Sequence, residues 1–350
     1  GQAITQTVPI DGPIYLADAL DGMIAGRTLK VGDRFDFSTF DPSTQSVQPS
    51  RVTVAARETL DVDSLLVPAL RLTVEFSGTA STAWVDSAGR TLKEEGPMGI
   101  VMLAEPRDKA IALPDRPAEI DLLTSLSVPV AGRELTDPRA ASELRVRLSG
   151  MDWSGMDVGG GRQLIADSSA HIVVVTREQE PVAAAPALAA ADLAPYLAAT
   201  PLIQCNDLKI RSTARTIIIN KRTDWDRAVA IADWVYQNLA KQMTVSLPSA
   251  VEVLQSRRGD CNEHATLFAA LARAAGIPAK LCLGVVYLDG RFYYHAWNAV
   301  WCGRWIEIDP TFGQHPADAA RLRLVEGDLT RQNRLLPAFG NLSIEILDAK

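Results

Sequence analysis

The sequence has no excess of basic residues. Its 35 Lys and Arg are outnumbered by 42 Asp and Glu, which gives a net charge of -7 at pH 7. Binding to nucleic acid or to anionic lipid depends on clustered positive charge, and here basic residues stand alone or in pairs such as Arg257-Arg258. We therefore expect no nucleic-acid partner.

A long uninterrupted apolar run is also lacking. The most apolar stretch, residues 182–200, is broken by Pro186, Asp192 and Pro195, so it is a poor membrane span. The chain begins with Gly1 instead of methionine, and the compartment stays open. A cleaved leader or a trimmed anchor would make the protein periplasmic or membrane-anchored; otherwise we expect it to be cytoplasmic.

Cysteine is scarce. The chain has four, Cys205, Cys261, Cys282 and Cys302, at irregular spacing, which is not the pattern of a disulfide framework. A single bridge between Cys282 and Cys302 stays open for an oxidising compartment. The three glycines at 159–161 lack the Lys-Ser/Thr signature of a phosphate loop, so we interpret them as a turn.

The chain divides into two halves by residue pattern. Residues 1–178 contain short alternating segments rich in β-branched side chains, such as 70–76, which predicts an all-β half of one or two β-sandwich-like subdomains. Residues 179–196 shift to Ala, Pro and Glu, which is typical of a linker. Residues 197–350 show helical and then strand periodicity, so we predict an α+β domain of helices packed on an antiparallel sheet.

Within that domain, capping residues and turns predict three helices followed by three strands. Thr223 can cap the first helix, residues 248–252 begin the second with a capping box, and the third runs from Cys261 to about Ala275. The predicted strands are 280–288, 292–301 and 304–308.

Cys261 stands at the first turn of the third predicted helix. Asp260 before it is a good N-cap, and Glu263 completes a capping box. The partial positive charge of a helix N-terminus lowers the pKa of a thiol, so we expect Cys261 to be a nucleophile. Its backbone N–H would be an oxyanion donor, and Gln255, just upstream, is the candidate side-chain donor.

His295 and Asp309 are 14 residues apart, and a hairpin turn at Cys302-Gly303 would place them roughly opposite each other. We predict a catalytic triad in which Cys261 attacks, His295 takes and returns the proton, and Asp309 orients the imidazole. Trp297 follows His295 on the same strand face, so we expect it to contact the substrate.

Each of these residues also has a structural interpretation. A lone cysteine is most often a small buried apolar residue, and Asp309 before Pro310 is a common turn pattern; the joint spacing favours catalysis. His264, three residues after Cys261, offers a metal site with His295 and Asp309 as further ligands. The triad already accounts for these residues, so we expect no metal and no cofactor.

Several separated blocks resemble the transglutaminase-like superfamily of papain-like fold, over roughly residues 196–350. The blocks are 249–254 with 258–261, 272–279, 294–297 and 305–311. The resemblance implies that Cys261, His295 and Asp309 form the triad, with Trp297 beside the cleft. The β-rich first half resembles extensions of bacterial members. No dense Asp/Glu/Asn loop of calcium-binding type is present, which disfavours calcium-activated cross-linking.

The function that follows is cysteine-dependent acyl transfer at an amide or peptide carbonyl of a protein or peptide substrate. A thioester would form and then be resolved by water, as in a protease or amidase, or by an amine, as in protein cross-linking. We favour water because hydrolysis needs no second binding site. A non-catalytic binding module and a metal-dependent hydrolase using Cys261 and His264 are the alternatives from other classes.

Overall fold

The computed structural model describes two compact units, Val8–Leu126 with Leu336–Gly340, and Ser127–Leu335 with Gly1–Thr7 and Asn341–Lys350. Among the residues it describes, no helix is long and apolar enough to cross a membrane. The described residues are 7–9, 12–16, 20–24, 26–41, 46–62, 65–76, 79–96, 101–112, 127–181, 190–242, 249–327, 331, 334–335 and 338–350.

The first unit is built on a seven-stranded sheet in which the strands follow one another in chain order. Neighbours from β2 to β7 are antiparallel, and β1 runs parallel to β2. Its strands are β1 (Ile14–Leu16), β2 (Arg34–Asp41), β3 (Ser46–Val62), β4 (Leu65–Phe76), β5 (Thr79–Val85), β6 (Thr91–Glu95) and β7 (Val101–Leu103), and its helices are α1 (Leu20–Ile24) and α2 (Arg107–Ala110).

One face of this sheet carries the core of the first unit. Val52, Leu72 and Val85 are buried on it and cluster with Met23 and Ile24 of α1. The alternate residues face the other way, as period-two strands require. The described residues of this unit thus form one sheet with a helix on its inner face, and not the two facing sheets that a β-sandwich would need.

The second unit contains a nine-stranded sheet in the order β10-β11-β9-β18-β8-β15-β14-β17, with β16 paired to β15. β12 and β13 form a separate two-stranded pair. The strands are β8 (Val128–Gly132), β9 (Glu143–Ser149), β10 (Gln163–Asp167), β11 (Ile172–Thr176), β12 (Ala240–Lys241), β13 (Arg258–Gly259), β14 (Ala279–Leu288), β15 (Arg291–Trp301), β16 (Trp305–Ile308), β17 (Arg321–Gly327) and β18 (Ser343–Ala349). The helices are α3 (Ala190–Leu193), α4 (Leu208–Ile217), α5 (Asp224–Asn238), α6 (Ala250–Ser256) and α7 (Cys261–Ala274), and a 3-10 turn covers Ala194–Tyr196.

The boundary between the units differs from the predicted division into 1–178, 179–196 and 197–350. Strands β8 to β11 lie in the same sheet as β14 to β18, so residues 128–176 belong with the second unit. The alternating pattern of a strand shows that it is a strand but not which sheet it joins. Of the predicted linker, residues 190–196 form α3 and a 3-10 turn, and residues 182–189 lie outside the described residues.

The predicted elements of the second unit are present. The three strands match the prediction to within one residue at each end, and Thr223 caps α5 through a capping box with Asp226. Helix α6 departs from the prediction, because Ser249 makes no capping bond to the helix. The Ser249 hydroxyl instead accepts a hydrogen bond of 3.0 Å from the Gln204 side chain. The predicted α+β fold class is confirmed.

Candidate active site

The site lies beside a stretch of β15 that is paired on one edge only. One edge of β15 pairs with β14 along Arg291–Val300. The other edge pairs with β8 at Arg291 and Phe292 and with β16 from Asn298 to Trp301. Residues 293–297, between these two partners, include His295, and the first residue of α7 meets β15 there.

Cys261 is that first residue of α7. The Asp260 side chain accepts from the Asn262 backbone N–H at 2.9 Å, and the Asp260 N–H donates to Glu263 at 2.9 Å, which is the predicted capping box. A Cβ on Gly259 would come within 2.3 Å of the Glu263 Cβ. Only glycine therefore lets the chain pass this close to Glu263 and place Cys261 at the helix start.

The thiol of Cys261 sits beside β15, near enough to the backbone N–H of Ala296 for that N–H to lower the pKa of the thiol. Burial raises the pKa of Cys261 to about 12, and the charges of Asp260 and Asp309 act in the same direction. The prediction that the helix N-terminus lowers this pKa is therefore wrong, because loss of water around a thiolate outweighs the helix charge. The resting thiol is protonated at neutral pH and needs a base.

His295 and Asp309 are in contact, as the hairpin spacing predicts. The Nε2 of His295 lies 2.9 Å from Oδ2 of Asp309, and both side chains are buried. Because Nε2 faces the carboxylate, Nδ1 is the ring nitrogen left to exchange a proton with the neighbouring thiol. Phe312 packs on the imidazole with a distance of 5.0 Å between ring centroids.

Asp309 is held on both oxygens. Oδ1 accepts from the backbone N–H groups of Thr311 and Phe312 at 2.9 and 3.1 Å, and Oδ2 accepts from Nε of Arg321 at 2.8 Å. Burial on its own raises the pKa of Asp309, but the charges of His295 and Arg321 hold that pKa well below its usual range. Asp309 is thus a fixed carboxylate.

Five charged residues that sequence reasoning missed lie behind the site. Arg321 also binds Asp318 at 2.6 Å, while Arg162 and Arg323 both bind Glu307. β16 and β17 are separated by β15 and β14, a distance of about 14 Å in a flat sheet. The sheet therefore curls so that β17 side chains reach residues at the end of β16.

A sequence signal for these residues exists. Glu307 and Asp309 are two apart, and Arg321 and Arg323 are two apart, so each pair lies on one strand face. Two carboxylates and two arginines with the same spacing predict matched ion pairs once the strands are known to approach each other.

Trp297 is not where a substrate could reach it. Its side chain has no exposed surface, its ring lies 6.0 Å from that of His295 with 15° between their planes, and its indole N–H donates to Glu307 at 2.8 Å. The expected substrate contact is therefore corrected to a buried neighbour of His295. A tryptophan on an alternating strand face is apolar enough to be drawn into the core.

Gln255 is exposed on α6, and in the described part of the chain no hydrogen bond joins it to Cys261. The backbone N–H of Cys261, at the first position of α7, stays the candidate oxyanion donor.

His264 is buried, with Nδ1 2.7 Å from the Asp260 carbonyl, and burial lowers its pKa. All four cysteines are free thiols, including Cys282 and Cys302.

His315 lies beyond the turn that holds Asp309. The backbones of Asp309 and Gln314 bond to each other at 2.8 and 2.9 Å, and His315 contacts Asp233 of α5 at 2.9 Å. The segment after Asp309 is thus tied to the same helix layer that carries α7. His171 stacks on Trp153 with ring centroids 4.9 Å apart and is remote from the site in sequence.

Comparison with known proteins identifies the region that carries the site. Residues 211–310 match the model of the transglutaminase-like superfamily. Similar solved structures include a proposed cysteine protease from Cytophaga hutchinsonii, 18% identical with a TM-score of 0.40, covering 63% of this chain and 82% of that chain. They also include the periplasmic domain of TgpA from Pseudomonas aeruginosa, 17% identical with a TM-score of 0.35, covering 55% and 74%.

No curated protein matches the chain. The structural likenesses are too distant to carry an argument about function, so the assignment rests on the family match. The match over residues 211–310 supports a cysteine-based catalytic domain. More narrowly, residues 211–310 of this chain form a transglutaminase-like domain, and the predicted resemblance is confirmed.

Proposed function

We propose that the protein catalyses acyl transfer at an amide or peptide carbonyl, with Cys261 as nucleophile, His295 as general base and acid, and Asp309 as the group that orients His295. The observation that carries the proposal is the fixed Asp309 carboxylate 2.9 Å from Nε2 of His295, next to Ala296, whose backbone N–H acts on the Cys261 thiol.

In the first step the Cys261 thiol proton moves to Nδ1 of His295 while the new carbon–sulfur bond forms. The sulfur attacks the carbonyl carbon, and the backbone N–H of Cys261 stabilises the oxyanion. The tetrahedral intermediate collapses when His295 gives its proton to the departing amine, which leaves a thioester on Cys261. Water, deprotonated by the same imidazole, then releases the carboxylic acid and restores the thiol.

The raised pKa of Cys261 shapes this proposal. A thiol with a pKa of about 12 is not a stored thiolate at neutral pH. Proton transfer to His295 therefore accompanies attack, and the Asp309 carboxylate stabilises the imidazolium that forms. A base held in the correct tautomer matters more to such a site than to one whose thiol is already ionised.

Hydrolysis is favoured over amine transfer because it needs no second binding site. The substrate class is a protein or peptide. A member of this superfamily that transferred acyl groups to lysine would need a subsite for the amine next to the thioester.

The test is mass spectrometry on a panel of peptides that contain internal amide bonds and glutamine side chains, with and without a primary alkylamine. Hydrolysis predicts cleaved peptides or a gain of about 1 Da at glutamine, while amine transfer predicts the amine adduct. Cys261→Ala should abolish every product, and Cys205→Ala, which removes a buried thiol, should retain them. Products that persist in Cys261→Ala would overturn the proposal.

A further inference from the structure

The imidazole of His295 touches a second buried residue besides Asp309. The indole of Trp297 lies nearly parallel to it, with 6.0 Å between ring centroids and 15° between planes. This is within the range of offset stacking. With Phe312 5.0 Å from the same imidazole, rotation of the His295 ring would displace aromatic neighbours.

The orientation of Trp297 is itself set by a polar contact. Its Nε1–H donates to Oε2 of Glu307 at 2.8 Å, and both side chains are buried. A hydrogen bond from a neutral donor to a carboxylate is stronger than one between neutral groups. The plane of the indole therefore follows the position of Glu307.

Glu307 is fixed by two arginines. Nε of Arg162 donates to Oε2 at 2.7 Å, and Nη1 of Arg323 donates to Oε1 at 3.3 Å. Burial raises the pKa of Glu307, but the charges of Arg162 and Arg323 bring that pKa below its usual range, so the carboxylate stays ionised. Oε2 is then held by Arg162, in the turn before β10, and Oε1 by Arg323 of β17.

Each arginine is anchored in turn by backbone carbonyls. Arg162 donates to Asp318 O at 2.8 Å and to Arg321 O at 2.9 Å. Arg323 donates to Gly159 O and Gly160 O at 2.9 and 3.0 Å. The glycine run at 159–161, which we interpreted as a turn, therefore binds the guanidinium of Arg323 through two of its backbone carbonyls. It lies outside the residues that match the family model.

We propose that Trp297 and Glu307 are positioning residues for the reaction, which hold the plane of the His295 imidazole so that Nδ1 faces the Cys261 thiol. This rests on the proposed function. Asp309 then sets which ring nitrogen carries the proton, and the Trp297–Glu307 pair sets the direction of the other one. A tryptophan that served packing alone would have no effect through His295.

The experiment measures the rate of iodoacetamide alkylation at Cys261, resolved by peptide mass spectrometry, from pH 5 to 8. The variants are Trp297→Phe and His295→Ala, singly and together. The matched control is Trp305→Phe, because Trp305 packs on the same cluster of Cys282, Trp297 and Ala299 but meets Trp301 edge to face. Among the described residues its ring does not contact that of His295.

We expect Trp297→Phe to slow alkylation of Cys261 by roughly tenfold at pH 7, the scale of one lost hydrogen bond to a charged group. In the His295→Ala background the same change should not alter the alkylation rate. A double-mutant cycle isolates the part of the effect that acts through the imidazole. Trp305→Phe should stay within about twofold of the native rate.

Two results would overturn the proposal: a Trp297→Phe rate within twofold of native, or an equal loss with and without His295. If Trp297→Phe does not fold, Glu307→Gln replaces it. We then again expect a slower alkylation of Cys261 only in protein that retains His295. A native protein that reacts no faster than His295→Ala would instead contradict the proposed function, so the two failures are distinguishable.

Discussion

Arg321 and His295 share one oxygen of Asp309. The guanidinium Nε lies 2.8 Å from Oδ2 and the imidazole Nε2 lies 2.9 Å from the same atom. Oδ2 of Asp309 therefore accepts a hydrogen bond from a buried, charged guanidinium and from the imidazole N–H at the same time. This arrangement keeps Asp309 ionised and fixes its direction, which a backbone turn alone would not do.

Removal of Arg321 should destabilise the second unit. Arg321→Met leaves the buried carboxylates of Asp309 and Asp318 without a counter-charge, and breaking a buried pair in this way costs about 3–5 kcal/mol. The control is Arg133→Met, which removes an exposed pair with Asp348 worth less than about 1 kcal/mol. Urea unfolding at pH 7 measures both, and equal losses would contradict a role for the buried pair.

Asp260 should make stability depend on pH. Burial and the neighbouring Glu263 raise its pKa to about 7, above the unfolded value of about 3.9. Its contribution is then fully present below about pH 4 and is lost as the pH rises to about 7. The native protein should lose about 2–4 kcal/mol relative to Asp260→Asn over that interval, measured as urea midpoints.

The same substitution should change the reactivity of the thiol. Ionised Asp260 raises the pKa of Cys261, and asparagine keeps the helix cap without the charge. We expect Asp260→Asn to speed alkylation of Cys261 severalfold at pH 8 and to change it little at pH 5, where Asp260 is already neutral. A uniform change at both pH values would point to altered capping instead.

Gly284 should be intolerant of a side chain. A Cβ there would come within 2.1 Å of the Leu322 carbonyl oxygen, so β17 would have to move, and with it Arg321 and Arg323. We expect Gly284→Ala to cost about 2–3 kcal/mol and to slow alkylation of Cys261. Gly290→Ala is the control, because it has open space at a φ of +81° and costs about 1 kcal/mol.

The parts of the site that sequence reasoning predicts are those set by local geometry. Cys261 at the helix start follows from Asp260 and Glu263, and the contact of His295 with Asp309 follows from a hairpin of known register. Both depend on residues close in the chain or joined by one turn.

What the sequence does not predict depends on tertiary structure. Arg162 meets Glu307 across 145 positions, and no local pattern indicates which strand of a mixed sheet lies beside which. The raised pKa of Cys261 arises from burial, which appears only when the sheet and helices are packed. Trp297, the expected substrate contact, is a core residue for the same reason.

The position of β18 bears on how the protein is made. This strand pairs with β9 on one side and with β8 on the other, so it joins β10-β11-β9 to the strands that carry His295. Residues 128–327 are synthesised before β18. The strands β10, β11 and β9 therefore cannot join the strands that carry His295 in one sheet until β18 has been made. Synthesis proceeds at about 5–20 residues per second, so the nascent chain has two unpaired sheet edges for about a second or more, and such edges are prone to aggregation.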